Sequence, residues 1–128
     1  MLHKIHYTPE QANELLLKLK PNIEKMAELK ALLDRKGFDV YKHEYFGGSG
    51  PNGTGEFPAE MEELIDIIRE IDSLGILVKG INNGIIDFPS IRSNGEEVYL
   101  CWMLGEKGIM YWHRIPDGFP GRTDIKDF

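Results

Sequence analysis

Between Thr8 and about Lys36 the chain carries an apolar stripe that any fold must cover. Ala12, Leu19, Met26 and Leu33 recur every seven residues with Leu16 and Ile23 beside them, so one long helix places all six on a single face. Thr8 can cap this helix, Pro9 is tolerated at its first position, and Gln11 stands where a capping-box partner reaches back. Gly37 is a natural left-handed terminator, after which Phe38 can fold back on Leu33. Pro21 removes one helical hydrogen bond and presses on the carbonyl of Leu17, which predicts a kink there or a break into two helices.

A stripe of this length needs a partner, and the sequence offers one. Pro58 opens a second helix through Leu74, with Met61, Leu64, Ile65, Ile68 and Ile71 on one face and Gly75 at its end. Glu56, Glu60, Glu62, Glu63, Asp66, Glu70 and Asp72 face only Arg69 within this segment, whereas the first helix carries more lysine and arginine. The two are expected to pair as an antiparallel hairpin over about residues 8–74, apolar stripe to apolar stripe. Between them, Phe38–Tyr45 reads as a short extended segment. The run from Gly47 to Gly55 is too glycine-rich for regular structure. It reads as a long flexible connection rather than a phosphate cradle, because no Gly-Lys-Ser/Thr follows it.

The remainder has the period of a sheet. Ile76–Ile81 and Ile85–Phe88 are short β-runs joined through Asn82-Asn83-Gly84, and Pro89 is expected to end the second. Ser93-Asn94-Gly95 turns into a hairpin whose arms, Val98–Met103 and Ile109–Ile115, flank Gly105-Glu106-Lys107-Gly108. The expected fold is a single α+β domain over residues 1–128. A helical hairpin packs on an antiparallel meander of about four strands (about 76–116), followed by a tail, 117–128.

Composition removes several function classes. The 128 residues include 41% apolar and 28% charged types, ordinary for a soluble domain with a real core. A net charge of −6 argues against nucleic acid as a partner. No apolar run is long enough to span a bilayer, so no membrane role is expected. The opening MLHKIHYTPEQ lacks the apolar centre of a signal peptide, and one cysteine makes no internal disulfide. Together these point to the cytoplasm.

Chemistry concentrates in the hairpin. With the turn centred on Glu106, Tyr99 lies opposite His113 and Cys101 opposite Tyr111, all on one face. Leu100, Trp102, Met110 and Trp112 take the other face and read as core. The first set is then a polar-tinted surface near the carboxylates of Asp87 and Glu97. Cys101 and His113 could serve as nucleophile and base, but no oxyanion-hole signature or third partner is visible. A metal site drawn from His113, Asp117, Glu106 or Cys101 is conceivable, yet its spacing matches no closed zinc pattern, and no metal or cofactor is assigned. His3 and His6 are a weak metal signal near the terminus, and His43 has no evident companion. Asp117-Gly118-Phe119-Pro120-Gly121-Arg122 admits two readings. The favoured one is a tail that tacks down the sheet, with Arg122 paired to Asp87 or Glu106. The other is an anion-recognising arginine beside His113.

An ordered string of motifs carries a resemblance. Tyr7-Thr8-Pro9-Glu10-Gln11-Ala12-Asn13, Asp87-Phe88-Pro89, Glu97-Val98-Tyr99-Leu100-Cys101-Trp102, Leu104-Gly105-Glu106, Tyr111-Trp112-His113, Gly118-Phe119 and Gly121-Arg122 resemble the bacterial family called domain of unknown function 2203. Arg114 stands where the family pattern leads one to expect an acidic residue, and the glycine loop is longer. The resemblance supports the same fold and points to the same surface, and it implies no activity.

The sequence therefore favours a small binding or assembly module over an enzyme. Its binding residues are Asp87, Tyr99, Glu106, His113 and Arg122, recognising a protein partner or a small anion. The competing reading is an enzyme with His113 as general acid/base and Cys101 or a carboxylate beside it, or else a metal protein. Self-association as a homodimer is also open, because a long helical hairpin often leaves apolar surface uncovered.

Overall fold

The computed structural model describes residues 1–50 and 57–128. Helix α1 runs from Pro9 to Arg35 without interruption. Thr8 Oγ1 accepts from the Gln11 amide at 3.1 Å, and the Gln11 side chain accepts from the Thr8 amide at 2.9 Å, completing the capping box. Pro21 does not break the helix. Pro21 and Leu17 both face solvent, so water can satisfy the carbonyl that loses its partner. The local cost is about 3 kcal/mol. Leu16, Leu19, Ile23 and Met26, buried on either side, offset it at about 1.5–3 kcal/mol each. At the far end Gly37 takes φ +80°, and the Phe38 amide donates to Leu33 O at 2.9 Å, the expected fold-back.

The segment after Gly37 is not extended. It forms two 3-10 turns, Val40–Lys42 and Glu44–Phe46. Asp39 Oδ1 accepts from the Tyr41 amide and His43 Nδ1 from the Tyr45 amide, and these local side-chain acceptors draw the backbone into turns. Of the glycine run, positions 51–55 lie outside the described residues. Helix α2, Ala59–Ser73, buries the five residues its pattern marks: Met61, Leu64, Ile65, Ile68 and Ile71.

The sheet has five strands among the described residues, in the order β1 (Leu77–Gly80), β2 (Ile85–Ile91), β3 (Glu97–Met103), β4 (Tyr111–Arg114) and β5 (Thr123–Asp124), every neighbour antiparallel. The fifth strand, absent from the sequence reading, belongs to the tail and pairs with β4. Nor does Pro89 end β2. Its carbonyl accepts from the Tyr7 amide at 2.8 Å, on the edge away from β3, so the N–H that proline lacks would point to that same outer edge. The β2–β3 ladder loses nothing, and pairing runs on to Ile91↔Glu97.

In β3 and β4 the register is the expected one: Tyr99 faces His113 and Cys101 faces Tyr111. Ile86, Phe88, Val98, Leu100, Trp102 and Trp112 join the stripes of both helices in one buried cluster. Met110 does not join them. It precedes β4 and is 44% exposed, because the chain between Met103 and Tyr111 is an irregular connection rather than a continued strand. No helix among the described residues is long and apolar enough to cross a membrane.

Candidate functional site: a buried Asp–Cys–His cluster

The second face of the sheet holds the chemistry. Asp87 on β2 lies opposite Cys101 on β3, and His113 on β4 lies opposite Tyr99, two residues before Cys101. Period-two alternation therefore points Asp87, Tyr99, Cys101 and His113 to one side, a consequence of register alone. One oxygen, one sulfur and one nitrogen of Asp87, Cys101 and His113 all lie within 4.8 Å of one another.

This face is not the surface that the sequence suggests. Asp87, Tyr99, Cys101 and His113 are all buried, since both ends of the chain fold across them. On one side, Glu97 accepts from the amides of Leu2 and His3 at 2.8 and 3.0 Å and bonds His6 Nε2 at 2.7 Å. His3 Nε2 then reaches Tyr99 OH at 2.6 Å. On the other side, Ile115, Gly118 and Phe119 close over the cluster and leave a pocket of about 210 Å³, lined also by Lys79, Ile85, Asp87, Cys101 and His113. Arg122 fixes that cover. Its Nη1 donates to both oxygens of Glu106, at 3.0 and 2.8 Å, while its guanidinium lies 4.0 Å from the Phe119 ring centre and 4.2 Å from that of Tyr111. Glu106 in turn accepts from the Met103 amide at 2.8 Å, so the pair ties the tail to the β3–β4 connection.

Proton positions follow from the partners. His113 Nδ1 lies 2.8 Å from the Arg114 carbonyl, which can only accept, so Nδ1 carries a hydrogen. Nε2 faces both oxygens of Asp87, at 3.2 and 3.1 Å. Burial works against the imidazolium, but the bonds to Asp87 and to the Arg114 carbonyl outweigh it and raise the pKa of His113. The Cys101 thiol is pushed up to about 12 by burial, by the charge of Asp87 and by its hydrogen bond to that carboxylate. These influences disfavour the free thiolate that a nucleophile needs. Tyr99 is raised as well, by burial and by the charges of Asp87 and Glu97.

Of the residues singled out in the sequence, the fold gathers Asp87, Tyr99, Cys101 and His113 into one cluster. It sets Glu106 and Arg122 beside them as a separate ion pair, close enough for both charges to act on Cys101. Asp117 stays outside, exposed. His3 and His6 engage Tyr99 and Glu97 rather than each other, and His43 reaches Glu62 at 3.4 Å. One feature escaped the sequence reading: Lys79, exposed at the pocket's rim with its ammonium 5.2 Å from the Tyr99 ring centre, for which no sequence signal exists.

The architecture and the motif string can now be set against known proteins. Residues 6–125 match a family described as an uncharacterised conserved protein, DUF2203. The chain belongs to the DUF2203 family. Every member of the buried cluster, with Glu106 and Arg122, falls within the matched span. No curated protein and no solved structure matches the chain.

Proposed function

We propose that this DUF2203 protein is a small binding module whose ligand is a small anion with an apolar body, taken up in the pocket above Asp87, Cys101 and His113. The observation that carries this reading is the pocket's lining. Lys79 supplies a cation that makes no salt bridge among the described residues, Ile85, Ile115 and Phe119 supply apolar walls, and the polar cluster forms the floor. A volume of about 210 Å³ suits a ligand of a few heavy atoms, below the common drug-sized range. Arg122 is already matched by Glu106, so in this reading it holds the Phe119 wall and Lys79 meets the anion. The helices are read as an antiparallel hairpin laid on the opposite face. Lys36–Glu60 at one end and the Tyr7 hydroxyl on the Leu74 carbonyl at the other support that arrangement.

The test is a chemical-shift titration of the labelled protein with butyrate, benzoate and inorganic phosphate. Shifts confined to Lys79, Ile85, Ile115, Gly118 and Phe119, weakened at least tenfold by Lys79→Ala (about 1.4 kcal/mol), are the expected result. Scattered shifts, or full binding by the Lys79→Ala variant, would refute the reading.

A further inference from the structure

His113 poses a problem of charge that has two solutions. Because the Arg114 carbonyl fixes a hydrogen on Nδ1, a neutral ring presents its Nε2 lone pair straight at two carboxylate oxygens. That arrangement is repulsive, so something positive must lie between them. A proton between them, carried by the ring or by the carboxyl, is one solution. The contacts of 3.1 and 3.2 Å are, however, shared evenly between the two oxygens and longer than the ~2.7–2.9 Å of a charge-assisted bond. The other solution is a cation larger than a proton, bound by Nε2, by Asp87 and by the thiol that completes the triangle.

We propose that Asp87, Cys101 and His113 form a binding site for one divalent transition-metal ion of the zinc class, with its fourth position open to the pocket. Donor chemistry selects the class. One sulfur, one imidazole nitrogen and one carboxylate oxygen make the mixed, borderline-soft set that zinc and cobalt accept, and magnesium and calcium do not. The dimensions agree: bonds of ~2.0–2.3 Å at tetrahedral angles separate donors by roughly 3.3–3.8 Å. Here nitrogen and oxygen are 3.1–3.2 Å apart, and all three donors fall within 4.8 Å. An adjustment of at most about 1–1.5 Å brings the widest pair into that range.

The surroundings are those that a metal-bound histidine uses. The Nδ1 bond to the Arg114 carbonyl holds the ring in the tautomer that coordinates through Nε2. A divalent ion that displaces the Nε2 proton and the thiol proton leaves the total charge of the buried cluster unchanged, so the fold accommodates it without a new unpaired charge. Three protein donors with a pocket on the fourth side is the pattern of a site that binds a water or an anion, rather than a closed structural site. The metal site does not require the anion reading, and its test uses ligand-free protein.

The experiment is titration of untagged, chelator-treated full-length protein with Co²⁺, followed by absorbance, then back-titration with Zn²⁺. One equivalent of Co²⁺ should produce a thiolate charge-transfer band in the near ultraviolet and tetrahedral visible bands, both lost as Zn²⁺ displaces it. Cys101→Ser should lose the charge-transfer band and bind Zn²⁺ at least tenfold more weakly. The titration is run in buffer free of butyrate, benzoate and phosphate, so the spectrum reports the metal alone and stands whether or not an anion binds at Lys79. The wild-type spectrum needs no variant to fold. Absence of the band, or its persistence in Cys101→Ser, overturns the proposal.

Discussion

Glu97 is the residue through which the amino-terminal cover can be weighed. It opens β3, keeps 12% of its side-chain surface, and accepts three bonds from residues more than ninety positions away: the Leu2 and His3 amides and His6 Nε2. Burial works to raise its pKa. The His6 bond and the two amides outweigh that effect and hold the carboxyl at about 2, against an ordinary 4.5. A group depressed in the folded state stabilises it fully above the ordinary value, and that contribution is lost as pH falls through the folded one. The drop from 4.5 to about 2 sets a ceiling of about 3 kcal/mol, at about 1.4 kcal/mol per tenfold. Solvent screening at the protein's edge reduces this to about 1.5 kcal/mol. Glu97→Gln should therefore cost about 1.5 kcal/mol in urea unfolding at pH 7. The difference from wild type should shrink steadily between pH 4.5 and pH 2. The amides of Leu2 and His3, protected from exchange in the wild type, should exchange freely in the variant. A variant as stable as wild type at pH 7, or a deficit that does not change with pH, would refute the reasoning.

Two further outcomes follow from local geometry. Gly84→Ala places a Cβ 2.8 Å from Leu104 Cβ and 2.9 Å from Ile23 Cγ2 at a φ of +62°. Overpacking and left-handed strain should together cost about 2 kcal/mol or more, read as a lower urea midpoint at unchanged m-value, and an unchanged midpoint would contradict that. The Cys101 thiol, buried and pushed up to about 12, should resist an aromatic disulfide reagent at pH 8 in the native protein and react stoichiometrically once unfolded in urea. Rapid native labelling would show that the cluster opens to solvent.

What the sequence disclosed is what depends on near neighbours. Helix α2 buries the five residues that a 3.6-residue period selects, and the Thr8–Gln11 cap forms because both partners lie within one turn. The faces of β3 and β4 were readable from alternation, and the register that follows from a turn centred on Glu106 is the one observed. Pro89 was misread for the opposite reason. A proline ends a strand unless its missing donor faces an edge, and that edge is supplied here by Tyr7, from the far end of the sequence. Strand β5 escaped notice likewise: two residues carry no period, and contacts between distant residues, among them the Arg122–Glu106 pair and the Ile125 amide on the Met110 carbonyl, bring them to β4.

The cluster was legible in its members and inverted in its setting. Alternation put Tyr99, Cys101 and His113 on one face. Nothing local indicated that His3 from one terminus and Phe119 near the other would cover them. Burial changes what the residues mean. An exposed Asp–His pair contributes little and needs no explanation. A buried one loses several kcal/mol of hydration per charge, and well-packed apolar residues in its place are often as stable or more so. At Asp87, Cys101 and His113 a leucine or valine would complete a sheet already buried on its other face by Ile86, Leu100 and Trp112. Stability alone thus gives no reason for three polar donors to meet there beside a pocket.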